Sequence, residues 1–135
     1  MIPKFRAWWI QDEVMTHIDT LEFLQGGVRV SDGCWHEKFL GDEVILMQST
    51  GFHDKNGKEI FIGDIVIHTQ KSITYGDVYH NNYAEVFQQQ NGAYRIRGKH
   101  IYEMDAYCNR KRLEVVGNIF ENVELLDHVS FTTEK

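Results

Sequence analysis

The chain holds a single proline, Pro3, so no later element loses a backbone donor to an imino acid. It holds two cysteines, Cys34 and Cys108, too few for the disulfide framework that staples small secreted domains. The expectation is two reduced, buried thiols in a bacterial cytoplasmic protein. No stretch approaches the roughly 18 apolar residues of a membrane span, and the first residues carry no apolar run of a secretory signal. No window of about 15 residues keeps a 3.6-residue apolar period, which leaves little room for long helices. An excess of positive charge is also missing. Lys and Arg number 14 against 20 Asp and Glu, a net charge of −6. That balance argues against general coating of nucleic acid and leaves a local basic stripe open. The acid excess lies in the first half: residues 1–66 carry six Lys/Arg against eleven Asp/Glu, residues 67–135 eight against nine.

What is present is an ordinary globular mix, 42% hydrophobic and 25% charged, in a chain long enough for one domain or two very small ones sharing a core. Eleven glycines are spread along it and read as turns between short strands. Lys4–Ile10 alternates, with Phe5, Ala7 and Trp9 on one face, and Met15–Thr20 is placed to pair with it. Gly27–Ser31 alternates through Val28 and Val30. Val44–Gln48 is a continuous apolar run, which fits a strand buried on both faces. Asn56-Gly57 and Asn91-Gly92 are the clearest turn signals. The first joins a piece near Phe52 to Glu59–Phe61; the second joins Ala84–Gln88 to Tyr94–Arg97. Ile65–His68, Val78–His80 and Leu113–Val116 complete the predicted strands. A short helix is placed between Lys99 and Asn109, and Asn122 is placed to cap a helical turn over Val123–Leu126. Short strands joined by tight turns predict a mainly β fold built on a small barrel or sandwich. The expected organisation is an N-terminal β or α+β layer over residues 1–58, a compact barrel over 59–126 and a fraying tail over 127–135.

Three segments carry a family resemblance. They are Lys4-Phe5-Arg6-Ala7-Trp8, the long run from Leu46 to Val66, and Leu113-Glu114-Val115-Val116-Gly117-Asn118-Ile119-Phe120-Glu121-Asn122 followed by Glu124-Leu125-Leu126. The middle run contains Thr50-Gly51, Asp54-Lys55-Asn56-Gly57-Lys58-Glu59-Ile60 and Gly63-Asp64-Ile65-Val66. In order and spacing these resemble the YopX-like proteins of bacteriophages and prophages. The resemblance implies an SH3-like β-barrel in the C-terminal part and a phage or prophage origin. It implies no catalytic residues and no cofactor. Glu22–Leu40 and Lys71–Arg112 depart from the family pattern, and the specificity of this member is expected there.

Motifs for chemistry are mostly absent. Gly63-Asp64 before an apolar strand is what a diverging turn needs: a permissive backbone and a carboxylate for nearby amides. A catalytic reading would need Asp54, Glu59 and Asp64 to converge, and Asp54 and Glu59 are expected around an exposed turn. The seven histidines, His17, His36, His53, His68, His80, His100 and His128, match no ligand template. His36-Glu37 lacks the second histidine of a zinc protease, since position 40 is Leu40. Cys34 and His36 have no partner pair at zinc-finger spacing. There is no Gly-x-Ser-x-Gly elbow and no phosphate-cradling glycine loop.

One charge pattern stands out. Arg95, Arg97 and Lys99 alternate with Tyr94, Ile96 and Gly98, so a strand would set the three cations on one face. Arg110, Lys111 and Arg112 follow, giving six of the fourteen cations within eighteen residues. Tyr75, Tyr79, Tyr83 and Tyr102 are potential stacking surfaces. Two readings stand side by side: the polar face of a half-buried hairpin, or a surface for anions or single-stranded nucleic acid. Trp8, Trp9 and Trp35 are expected in the core or at an interface, and the adjacent Trp8 and Trp9 face opposite sides of a strand. Covering both faces calls for another layer or another subunit, hence an expected homo-oligomer. The function expected from all this is a non-catalytic interaction module for an unknown host or phage protein, with no membrane association. The alternative is a nucleic-acid-binding accessory protein using the basic strand face.

Overall fold

A computed structural model of the chain describes residues 4–32, 37–39 and 43–134. Cys34, Trp35 and His36 lie outside the described residues. Those described are mainly β, with one four-residue helix. They divide after Ser49 into two compact units, and the Asn56-Gly57 loop belongs with the second.

In the first unit β1 (Phe5–Trp9) and β2 (Val14–His17) form the expected hairpin. β3 (Thr20–Leu24), β4 (Gly27–Ser31) and β5 (Glu37–Phe39) make a separate antiparallel sheet. β6 (Val44–His53) pairs antiparallel with β1. The β1 alternation works as read: Ala7 and Trp9 are buried with Val30 and Val44, flanked by Ile18, Leu21 and Leu46. The apolar run at the start of β6 is not buried on both faces, because Ile45 is 39% exposed. An antiparallel layer needs cover on one side only. The boundary between the units falls within β6, which also neighbours β7 (Glu59–Phe61).

The second unit continues with β8 (Asp64–Lys71), β9 (Val78–Gln88), β10 (Tyr94–Arg97) and β11 (Met104–Asp105). Helix α1 (Ala106–Asn109) and a 3-10 turn over Arg110–Arg112 lead into β12 (Leu113–Asn118). A second 3-10 turn, Val123–Asp127, precedes β13 (Phe131–Glu134). The strand order is β11-β10-β9-β8-β12, with β13 on β9. The core joins Phe52, Ile60, Val66, Ala84, Val86, Ile96, Ala106 and Leu113.

Two predicted strands, Val78–His80 and Ala84–Gln88, are one. The polar interval does not break β9, because Asn81 is buried and its amide is used: Nδ2 donates to Phe131 O at 3.2 Å and to Thr133 Oγ1 at 3.1 Å, while Thr69 Oγ1 donates to Oδ1 at 2.7 Å. The same contacts explain why the expected fraying tail is partly a strand: β13 pairs with Val78–Asn81 of β9. Both Asn-Gly turns form inside five-residue loops with one hydrogen-bond pattern. Asp54 N donates to Lys58 O and Gly57 N to Asp54 O; Gln89 N donates to Ala93 O and Gly92 N to Gln89 O. Gly63 takes φ of 92°, a conformation that favours glycine, and its amide donates to Val86 O at 2.9 Å. The predicted turn near Asn122 forms, but its Oδ1 accepts from Asn118 N instead of capping that turn.

Candidate anion-binding surface

β10 places Arg95 and Arg97 two residues apart around the buried Ile96, so they share a face as read. Lys99 lies beyond the strand end. All three meet carboxylates. Arg95 Nε donates to Glu103 Oε1 at 2.9 Å, Arg97 Nε to Glu85 Oε1 at 3.4 Å, and Lys99 Nζ pairs with Asp127. Arg97 also sits over the Phe87 ring, 4.2 Å from its centroid. The Lys99 ammonium, by hydrogen bond and by charge, holds the Asp127 carboxyl below its usual range. The strand face is therefore locally neutralised.

The second basic run behaves differently. Arg110 stacks on Tyr107, 4.0 Å from the ring centroid, and donates to the Tyr107 carbonyl. Lys111 and Arg112 instead line an open groove of about 380 Å³ with Lys55, Lys71, Thr69, Gln70 and Tyr79. The fold assembles this groove from distant sequence. Lys55 is held beside Arg112 because its backbone amide donates to Leu113 O at 3.0 Å. Lys71 sits opposite Tyr79 in the β8–β9 register, two residues beyond the Thr69↔Asn81 pair. Among the described residues, no ion pair forms to Lys55, Lys71, Lys111 or Arg112. An adjoining groove of about 440 Å³ shares Lys55, Thr69 and Tyr79 and adds Ile67, Asn81 and Phe131, with Glu114 and Glu134 at its border. Lys55 and Lys71 were not singled out by sequence. Neither belongs to the basic runs of the sequence, and the β8–β9 register together with the Lys55–Leu113 bond brings them to the groove.

The positive charge reaches beneath the groove. His68 on β8 is 2% exposed, and its Nε2 lies 3.4 Å from Asn109 Oδ1. Burial first, and the Arg112 charge after it, push the imidazole below its ordinary value, against the raising effect of the Asn109 contact.

Asp54 and Asp64 of the long middle run serve the backbone. Asp54 is 7% exposed, not on an exposed turn as expected. Its Oδ1 accepts from Asn56 N at 2.8 Å and Lys58 N at 2.9 Å, and its Oδ2 accepts from Val115 N at 2.9 Å. Asp64 is buried, and its Oδ2 accepts from Phe61 N at 2.7 Å. Cys108, expected buried, is exposed; the carboxylate of Asp105, which caps α1 through Cys108 N, pushes the thiol up. No group of three or more His, Cys, Asp or Glu positioned to hold a metal ion occurs among the described residues. No helix among them is long and apolar enough to cross a membrane.

The family model described as YopX protein matches residues 4–127, and all three segments of the resemblance fall in that span. The chain belongs to the YopX family. A solved structure, the crystal structure of protein EF1440 from Enterococcus faecalis, is similar to this YopX protein at 25% identity with a TM-score of 0.61. The likeness covers 93% of this chain and 99% of that one. No curated protein matches.

Proposed function

We propose that this YopX-family protein is a phage- or prophage-encoded accessory protein acting in the cytoplasm as a non-catalytic macromolecular interaction module. Its second unit is read as an SH3-like barrel. Support for that reading comes from the four-strand meander β8 to β11, after which a 3-10 turn returns β12 to pair with β8. The observation that carries the functional reading is the use of the family segment's acids: Asp54 and Asp64 accept backbone amides and hold loops and strands in place. The most family-specific stretch is thus invested in the frame, and a binding role falls to the surfaces that the frame presents. The reading from barrel to binding is an analogy of fold.

The experiment is capture of the tagged protein from host lysate, with and without nuclease. Recovery of a discrete macromolecular partner in stoichiometric amount is the expected result. Recovery of the protein alone under both conditions would sink the reading. The protein is further proposed to act as a homo-oligomer, motivated by the adjacent Trp8 and Trp9, of which Trp9 is 4% exposed and Ile45, paired with Trp8, is 39% exposed. Light scattering at micromolar concentration tests this, and a monomeric mass would count against it.

A further inference from the structure

We infer that the cationic groove of the second unit binds the phosphodiester backbone of single-stranded nucleic acid, and that the adjoining groove takes up a base. This rests on the interaction-module reading and names the partner's chemistry and its site. Charge is segregated in the chain. The chain has twenty acids for fourteen cations, and Arg29, Arg95, Arg97 and Lys99 each meet one of them. Lys55, Lys71, Lys111 and Arg112 come from three separate segments to one groove and form no ion pair among the described residues. Four like charges gathered this way repel one another, and a bound polyanion relieves that repulsion.

The wall of the grooves is partly aromatic. Tyr79 lies in both grooves, and Phe131 of the second is 40% exposed. Aromatic faces beside a cationic track are how single strands are held without reading sequence. In a duplex the bases already stack on one another and offer these rings nothing. The two grooves also contrast in charge. Glu114 and Glu134 line the second groove, where their carboxylates accept from the exocyclic amines of cytosine or adenine. An acidic peptide matches the first groove and is repelled at the second. A nucleotide chain alternates an anion with an amine-bearing ring and matches both.

The test is fluorescence anisotropy of the full chain with a labelled oligo-dC of about twelve nucleotides. Neutralising four phosphates predicts a salt slope near −2.8, so affinity falls about fifty-fold between roughly 50 and 200 mM salt. The variant K71Q/K111Q/R112Q is expected to lose at least about tenfold in affinity and most of that slope. The variant R95A/R97A/K99A is expected to stay within about twofold, because those cations are already paired. Thermal melts of both variants and of Lys71→Gln alone establish that folding is intact; should the triple variant not fold, the single change carries the test, with about one-quarter of the slope lost. No binding, binding insensitive to salt, an equal loss in the strand-face variant, or equal affinity for duplex DNA or for poly-glutamate would overturn the assignment. A nuclease-resistant protein partner without oligonucleotide binding overturns this inference and leaves the module intact. Absence of any partner in lysate removes the module itself.

Discussion

Asp54 satisfies three backbone amides with two oxygens, two of them in its own loop and one, Val115 N, sixty-one residues away on β12. The three bonds are part-buried, and each contributes about 0.5–1.5 kcal/mol net. Asp54→Ala is therefore expected to lower unfolding free energy by about 1.5–4.5 kcal/mol in urea denaturation. Asp54→Asn keeps one carbonyl oxygen and cannot keep both sets of bonds, so it should fall between the parent and the alanine variant. An alanine variant as stable as the parent would mean that these bonds are replaced by water at no cost. The sequence marks Asp54 through its Asp-Lys-Asn-Gly setting, but not its burial. That burial comes from β12, which no local pattern connects to the loop.

At the level of elements, local and non-local signals separate cleanly. β4 and β10 have the predicted bounds, because period-two alternation and flanking glycines are local. The continuity of β9 and the existence of β13 were not legible, because both depend on Asn81 reaching across to Phe131 and Thr133. The four residues of β13 are exposed, so little apolar burial holds them. Asn81→Ala is expected to abolish hydrogen-exchange protection of β13 amides while β8 and β10 stay protected. Retained protection in β13 would show that its backbone ladder suffices. The candidate site divides the same way. Lys111 and Arg112 stood out within a basic run, whereas Lys55 and Lys71 needed the β8–β9 register and the Lys55–Leu113 bond.

β8 also carries a pH response. His68 is depressed below its ordinary 6.5 in the folded chain, so the unfolded chain binds that proton first as pH falls. The contribution is fully present above 6.5 and is lost as pH drops through 6.5 towards the lower folded value. His68→Gln should flatten the fall in Tm between about pH 7 and pH 5 relative to the parent. An unchanged slope would place the response on other groups.

At the scale of the whole molecule, the frame and the proposed binding surface are built from different residues. The family match runs over residues 4–127, and its longest motif builds loops and turns of the second unit. The groove draws Lys71, Lys111 and Arg112 from outside the three segments of the resemblance, and only Lys55 from the motif. If frame and surface are separate, stability and binding respond to different substitutions. A ligand that binds only the folded state raises Tm by mass action, so one assay reads both properties. The most direct measurement is the Tm of Asp54→Asn and of K71Q/K111Q/R112Q, each with and without excess oligo-dC at low salt. Asp54→Asn is predicted to have a lowered Tm that still rises with oligonucleotide, and the groove variant a Tm at or above the parent's that rises far less than the parent's does. A groove variant that still rises like the parent, or an Asp54→Asn variant that melts like the parent, would contradict that prediction.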